Sequence, residues 1–363
     1  MEHRRKHLEG RGIVAALVIA SGALGAGPET VRRSVSLDDR TAAAIDRGLA
    51  YLIRTQEAIG SWRGIIGRKV HVRYVGHEGQ DVGVTALAGS SLLARLERDG
   101  ATVEHRLAAE RALRWICEQV RTDGFIAADG SRMYSHAFAT LFLARACRSG
   151  LGADLPDVQA KLEKAAGLIV GAQNAEGGWR YLPGASDSDL SVTACQLAAL
   201  RAARAAGIEV PEDTFRRGLD YVKSTYVQLP TLGGVFRYQI ASATTSRYSF
   251  ALTAAGLLVL SEAGESSSKP AREALAYLLT HPPPPEAAKT RFDYYYAHHF
   301  AMSALRFEEE EELRKWHRSV SKEFLGLQES DGSWVDLVGP AYATAMATLV
   351  LQEPTIGGER SSR

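Results

Sequence analysis

Carboxylate, histidine and tyrosine side chains concentrate in two stretches whose composition is suited to acid–base chemistry. The first holds Asp187 and Asp189 within SDSDLS at 186–191, and the second is FDYYYAHH at 292–299. A buried carboxyl group can stay protonated until it donates, and histidine is the natural base near neutral pH. The predicted catalytic candidates are therefore Asp187, Asp189, Asp293, His298 and His299.

A second set of residues is suited to ligand binding. Two Arg-Tyr pairs each follow an aromatic turn residue, and they could hold an anionic head group such as diphosphate, although ordinary surface pairing is an alternative. Tyrosine faces in a cavity could stabilise a cation. The predicted ligand-binding residues are Arg180, Tyr181, Arg237, Tyr238, Tyr294, Tyr296, His136 and Tyr342. His136 could equally be a histidine satisfied within the wall. No metal site or cofactor is predicted, since no Cys-x-x-Cys pair occurs.

Helical periodicity runs through the chain from Asp38 onwards. Segments with apolar residues at helical spacing each precede a turn and then a more apolar, alanine-rich segment. No convincing alternating strand pattern appears. The first segments cover 45–56, 106–120, 162–173, 215–228, 272–280 and 316–328. The sequence therefore predicts an all-α protein.

The alanine-rich segments superimpose without gaps as six copies about fifty residues apart. The shared position is occupied by Thr85, His136, Thr193, Phe250, His298 and Thr344. Leucine follows seven residues later in all six copies, and alanine follows one residue later in five; His299 takes its place in the fifth. One hairpin cannot bury its apolar face alone, so neighbours must stack. Since no polar capping helices are evident, six hairpins favour a closed ring with the alanine-rich helices inside.

Three of the first helices end in Gln-x-x-x-Gly-x-Trp, at Gln56–Trp62, Gln173–Trp179 and Gln328–Trp334. Glycine supplies the left-handed backbone that ends a helix, over which the tryptophan can pack. This repeat resembles the QW repeat of squalene–hopene and oxidosqualene cyclases, shared more distantly with protein prenyltransferase β subunits. The resemblance covers about residues 40–352 and implies an (α/α)6 toroid in which the turn tryptophans are structural.

The same resemblance implies chemistry for the two polar stretches. Class II cyclases protonate their substrate with an Asp-x-Asp-Asp motif, and Asp189 aligns with its proton-donating aspartate. Leu190 replaces the final aspartate, and Asp81 occupies the same repeat position as Asp189. Both acids could instead cap their helices. Prenyltransferase β subunits bind zinc through Asp-x-Cys, but Tyr295 replaces that cysteine after Asp293, so the zinc site does not carry over.

Composition limits the partners and suggests export. The formal net charge is +1, which does not indicate nucleic acid as a partner. A basic start, an apolar run at 13–20 and small residues at 21–27 predict a signal peptide, and the run is too short for a comfortable transmembrane span. A retained anchor or a disordered leader is the alternative. The expected division is a signal peptide at 1–26, a linker at 27–37, one toroid at 38–354 and a polar tail at 355–363, giving an exported, periplasmic or envelope-associated protein.

Three functions fit these features. The protein could act on or bind an isoprenoid or other apolar ligand in the central cavity, either as a cyclase or as a prenyltransferase-like enzyme. It could be a non-catalytic exported binding or scaffold toroid, or a carbohydrate-active (α/α)6 enzyme that uses paired carboxylates. We expect Asp187, Asp189 and the stretch 293–299 to open onto one face of the ring, because both lie where inner helices begin.

Overall fold

The all-α prediction is confirmed by a computed structural model that describes residues 37–66, 76–128, 130–240 and 248–353. The predicted signal peptide, the linker up to residue 36 and the polar tail lie outside the described residues. Within these ranges the helices are α1 (Asp39–Thr55), α2 (Val82–Leu96), α3 (Val103–Glu118), α4 (Met133–Ser149), α5 (Val158–Gly171), α6 (Leu190–Ala205), α7 (Glu212–Ser224), α8 (Phe250–Glu262), α9 (Lys269–Thr280), α10 (Ala287–Thr290), α11 (Tyr294–Leu305), α12 (Glu310–Leu327) and α13 (Pro340–Gln352).

The long helices form two concentric layers. The outer layer contains α1, α3, α5, α7, α9 and α12, and the inner layer contains α2, α4, α6, α8, α11 and α13. Helix α8 is buried along almost its whole length, which explains why it is apolar on all sides. Outer helices such as α1 and α7 instead bury one stripe and expose a charged one.

Two short antiparallel hairpins correct the prediction that the chain has no strands. Strand β1 (Arg63–Ile66) pairs with β2 (His77–Gln80), and β3 (Tyr226–Leu229) pairs with β4 (Gly233–Phe236). Both occupy the connection from an outer helix to the next inner helix. None of these four-residue strands shows the strict apolar–polar alternation that marks a strand in a sequence.

In four repeats the turn is hydrogen-bonded to a threonine of the inner helix that follows it. The backbone N–H of Trp62 donates to Thr85 Oγ1 at 3.0 Å, and Trp179 and Trp334 bond equivalent threonines in the third and sixth repeats. In the fourth repeat Phe236 N donates to Thr253 Oγ1 at 3.3 Å. The predicted alignment at Phe250 was therefore wrong by one helical turn. Thr253 restores the pattern, because Ala254 and Leu260 follow it at the expected distances.

The glutamine of each Gln-Gly-Trp turn bonds one repeat to the next. Gln173 Nε2 donates to the carbonyl of Gly177 at 2.7 Å and to that of Thr214, on the next outer helix, at 2.9 Å. Gly177 has φ +89°, and a Cβ there would lie 2.5 Å from the carbonyl oxygen of Arg217. Trp179 Nε1 donates back to the helix α5 carbonyl of Ile169 at 2.7 Å. The turn is thus a structural joint between neighbouring repeats.

The same joint closes the ring. Gln328 Nε2, in the sixth repeat, donates to the carbonyl of Ala44 in the first repeat at 2.9 Å. In the inner layer, Ser91 Oγ lies 2.6 Å from Thr348 Oγ1, and Gln352 Nε2 donates to the Ser91 carbonyl at 3.2 Å. The last inner helix therefore packs against the first, as the absence of capping helices predicts.

None of the helices in the described ranges is long and apolar enough to cross a membrane. The three cysteines are free thiols, two of them buried, so no disulfide helps to hold the ring closed.

Candidate functional site

The inner helices enclose a central hollow of about 940 Å³. Its deep wall is apolar and includes Leu87, Leu258, Phe300 and Leu349, which come from four different helices. Its mouth lies where the inner helices end and carries charged side chains from all six of them. These are Glu97, Arg145, Arg201, Glu262, Arg306 and Glu353. The hollow thus combines an apolar depth with a charged rim.

A hydrogen-bonded layer forms the floor of the hollow. Cys195, which lines the hollow, has its Sγ 3.6 Å from the hydroxyl of Tyr296. The Tyr296 hydroxyl donates to the backbone carbonyl of Ser191 at 3.2 Å, and the Tyr134 hydroxyl lies 2.6 Å from Ser191 Oγ. The predicted ligand-binding residue Tyr296 is therefore bonded within the floor, and the first turns of the inner helices lie beyond it.

Tyr342 lies in the first turn of α13. Burial raises the pKa of its hydroxyl, and the negative charges of Asp336, Asp293 and Asp81 raise that pKa further. Those carboxylates belong to the sixth, fifth and first repeats.

Asp189 lies beyond the floor and is completely buried at the start of α6. Its Oδ1 accepts from Val192 N at 2.8 Å and from Ser191 Oγ at 2.7 Å. Its Oδ2 accepts from Arg180 Nη1 at 3.0 Å and from the Tyr238 hydroxyl at 3.2 Å. Burial raises the pKa of Asp189, while these hydrogen bonds and the Arg180 charge act in the opposite direction. Both oxygens are fully engaged by donors.

The two neighbouring acids differ from Asp189 in their partners. Asp81 caps α2 through the backbone N–H groups of Gly83 and Val84 alone, and burial raises the pKa of its carboxyl. Asp187 is half-exposed, with its Oδ2 3.3 Å from Arg180 Nε and 3.1 Å from Gln239 Nε2. Capping, proposed from sequence as the alternative to catalysis, describes both Asp81 and Asp189.

The predicted Arg-Tyr pairs behave differently from each other. Arg180 joins Asp187 to Asp189 and stacks on Tyr181 and Tyr238, with its guanidinium carbon 4.6 and 5.3 Å from their ring centroids. The two tyrosine hydroxyls are hydrogen-bonded to each other. Arg237 stands apart from this cluster, since its backbone bonds Thr225 and bridges to Tyr248.

The stretch 293–299 is not one catalytic group. Asp293 lies at the start of α11 and forms a two-point ion pair with Arg291 at 2.9 and 2.7 Å. His298 is buried in the wall, where Phe250, Tyr294 and Phe324 surround its ring. Asp189 and Asp293 both lie at the starts of inner helices, but Asp189 is completely buried and the histidines lie further along α11, so the expected joint opening of these residues is not seen.

His299 alone of that stretch faces the hollow. Burial lowers the pKa of its imidazole. The charge of Glu353 raises that pKa, and the charge of Arg145 lowers it. Tyr294 is packed in the wall, and its hydroxyl donates to Glu323. The side chains expected to work together thus point in three directions, because consecutive helix positions are about 100° apart.

His136 is a satisfied wall residue. Its Nδ1 accepts from Ile126 N at 3.1 Å and its Nε2 lies 3.2 Å from the Ala165 carbonyl. Burial lowers its pKa to about 4, so the ring is neutral. Among the residues that the structure describes, no group of three or more His, Cys, Asp or Glu side chains could hold a metal ion.

The charged rim of the hollow was missed by the sequence reasoning. Its members lie eight or nine residues after the shared position in five repeats, at Arg145, Arg201, Glu262, Arg306 and Glu353. Extending the repeat alignment by two turns would have revealed a charged column inside a predicted apolar wall. The correct alignment of the fourth repeat is needed to bring Glu262 into it.

Solved structures share this fold, although no protein-family model and no curated protein matches the chain. The type II terpene cyclase MstE from Scytonema is 15% identical with a TM-score of 0.58, covering 88% of this chain and 99% of its own. A variant of it was solved with geranylgeranyl dihydroxybenzoate, described as its substrate. An α-1,6-mannanase of Salegentibacter sp. HEL1_6 is 10% identical with a TM-score of 0.63, covering 87% of this chain and 100% of its own.

These similarities establish the terpenoid cyclase-like (α/α)6 toroid as the fold of this chain. MstE, described as a type II terpene cyclase, is matched over almost its entire length. The inactive mannanase carries changes at two adjacent aspartates. The one Asp-Asp pair in this sequence, Asp38–Asp39, begins an outer helix.

Proposed function

We propose that this protein binds an elongated apolar molecule, an isoprenoid chain or another lipid, in the central hollow. The observation that carries the proposal is the hollow itself, with aliphatic and aromatic side chains from several helices around its deep part. Its volume of about 940 Å³ is at the upper end of the range of roughly 300–1,000 Å³ found for small-molecule pockets. Each buried CH2 group of such a ligand contributes about 0.8 kcal/mol before the cost of association.

Binding is favoured over proton-initiated cyclisation by the state of Asp189. An acid that protonates an alkene needs an oxygen free to carry its proton towards the substrate. Asp189 has two donors on each oxygen, one of them a guanidinium, and Tyr134, Ser191 and Tyr296 lie between it and the hollow. Its position therefore suits a structural ion pair better than a proton donor.

A carbohydrate-active function is the weaker alternative. Such an enzyme needs two carboxyl groups that both reach the sugar. Asp187 and Asp189 are instead held by the same arginine, and Asp293 is held by Arg291. The carboxylates at the mouth of the hollow are likewise paired with arginines.

A titration with geranylgeraniol tests the proposal, because this alcohol has the apolar chain without a charge. We expect wild-type protein to bind one molecule per chain with micromolar affinity. Ala198 lines the hollow, so Ala198→Trp places an indole in the ligand's volume and lowers the affinity at least tenfold. Ala50→Trp, on the exposed surface of α1, is the matched control and leaves binding unchanged. Equal affinity in all three proteins, or no binding to wild type, would reject the proposal.

We also propose that the protein is exported through the N-terminal segment 1–26, whose basic, apolar and small-residue order supports this. Fractionation of cells producing the full chain, with mass analysis of the mature N-terminus, tests this. Cleavage after Ala23 or Ala26 supports export, whereas an intact Met1 in the cytosolic fraction contradicts it.

A further inference from the structure

Three ion pairs surround the mouth of the hollow, each joining two neighbouring inner helices. Arg145 Nη2 on α4 lies 3.2 Å from Glu97 Oε2 at the end of α2. Arg201 Nε on α6 lies 3.1 Å from Glu262 Oε2 on α8. The third pair joins α11 to α13, with Arg306 Nη1 2.9 Å from Glu353 Oε1. All six side chains line the hollow.

The order of these charges around the ring is not fully alternating. Going from α2 to α13, the signs run negative, positive, positive, negative, positive and negative. Arg145 and Arg201 therefore come from the adjacent helices α4 and α6, with no carboxylate of the ring between them. The remaining arginine of the six, Arg306, lies between two glutamates, Glu262 and Glu353.

A third arginine adds to this region. Arg148 also lines the hollow, one turn after Arg145 on α4, and has no carboxylate within ion-pair distance among the described residues. We call Arg145, Arg148 and Arg201 the basic sector. Within the described ranges, Glu97 and Glu262 are the carboxylates within ion-pair distance of this sector, which therefore has three positive charges against two negative ones.

The geometry of the basic sector suits an anionic group. The carboxylates hold Arg145 and Arg201 in place, so little side-chain entropy is lost when a ligand binds. Guanidinium groups also bind carboxylate and phosphate oxygens through paired, charge-assisted hydrogen bonds. The sector lies directly above the apolar wall, which lowers the local dielectric and strengthens the attraction. The rest of the mouth has His299 and the balanced pair of Arg306 with Glu353, and the charge of Arg145 acts on both His299 and Glu353.

We infer that the ligand of this protein is an anionic amphiphile, whose chain fills the hollow and whose carboxylate or phosphate head group binds the basic sector. This inference rests on the proposed function, because it requires an apolar chain in the hollow. It adds the chemical class of the head group and its position, at the ends of α4 and α6.

Two ligands with the same chain separate the inference from the proposed function. Hexadecanoic acid and hexadecanol are titrated against wild type, Arg148→Glu and the control Arg114→Glu, which changes an exposed arginine on outer helix α3. We expect wild type to bind the acid at least tenfold more tightly than the alcohol. Arg148→Glu abolishes that preference without changing alcohol binding, and Arg114→Glu leaves both affinities as in wild type.

The remaining outcomes each have a defined meaning. Equal binding of acid and alcohol by wild type, or an acid preference that survives in Arg148→Glu, would overturn the anionic head group while leaving the proposed function intact. Failure of both ligands to bind would overturn the proposed function and this inference together. Inorganic phosphate is titrated alone as a third arm. Its binding at micromolar concentration would identify a site for free anions and contradict an amphiphile, whereas no binding below millimolar concentration supports one.

Discussion

Replacing Asp189 by asparagine tests whether its ion pair with Arg180 is structural. Asparagine caps a helix about as well as aspartate, so the change mainly removes the negative charge that faces the guanidinium. Breaking a buried ion pair by removing one partner costs roughly 3–5 kcal/mol. Arg180 keeps a 21% exposed side chain and its second contact with Asp187, and the buried negative charge is itself relieved. We therefore expect a loss of about 2 kcal/mol in the free energy of unfolding.

Asp81→Asn is the matched control at the same repeat position. Asp81 is bonded by backbone N–H groups and has no cation within ion-pair distance in the part of the chain that the structure describes, and burial raises its pKa. Asparagine there relieves the desolvation of a charge and keeps a cap, so the free energy of unfolding should stay within about 1 kcal/mol of wild type. Equilibrium unfolding in urea at neutral pH measures both variants.

Two results would refute this reasoning. The first is equal stability of Asp189→Asn and wild type, which would show that the ion pair contributes nothing. The second is a tenfold loss of geranylgeraniol binding in Asp189→Asn without any loss of stability. That outcome would place Asp189 in the ligand site, although the tyrosine floor separates it from the hollow.

Three further predictions concern the ring and its wall. Gln328→Ala removes the amide hydrogen bonds to the Ala44 carbonyl of the first repeat and to the Gly332 carbonyl of its own turn, and should lower the free energy of unfolding by about 2 kcal/mol. Gln119→Ala, whose side chain bonds the Trp115 carbonyl of its own helix, should lower it by under about 0.5 kcal/mol. Equal effects of the two changes in urea unfolding would contradict the joint. Gly177→Ala should lower the free energy of unfolding by more than about 3 kcal/mol, because the new Cβ would clash with a backbone carbonyl. Gly184 has φ +80° but open space around it, so Gly184→Ala should lower it by about 1 kcal/mol. Similar melting temperatures of the two variants would reject the clash. Burial lowers the pKa of His298 to about 3, so the stability that its neutral ring provides is lost as pH falls from about 6.5 towards 3. His298→Phe should therefore move the midpoint of acid unfolding, followed by circular dichroism, to lower pH. An unchanged midpoint would contradict this.

Much of the fold was predictable because each repeat packs its helices in the same way. The glutamine, glycine and tryptophan of the turn act through backbone geometry and short-range contacts, so their spacing in the sequence carries over directly. The fourth repeat misled the alignment because Phe236 replaces the tryptophan and its turn leads through a β-hairpin. Phe250 is followed by Ala251 and Leu257 at the spacings of the other repeats. The same spacings recur one turn later, at Ala254 and Leu260, because this helix is rich in alanine and leucine.

The candidate site was harder to predict, because residue type does not indicate direction. Asp293, His298 and His299 are close in sequence, but they lie at the start of α11, within the wall and in the hollow, respectively. The sequence correctly predicted that Asp189 lies at the start of an inner helix. Its ion pair with Arg180 could not be predicted, because it depends on how the loop between the two residues folds. The charged column at the mouth can be read from the extended repeat alignment, but the pairing of its charges depends on contacts between helices about fifty residues apart.

A crystal structure with 12-bromododecanoic acid tests the central claim most directly, because bromine gives an anomalous signal at the end of the chain. The account predicts a single bromine peak in the apolar depth of the hollow, near Leu87, Phe300 and Leu349, with the carboxylate at Arg148. A bromine peak outside the ring, or an empty hollow at saturating ligand, would contradict it.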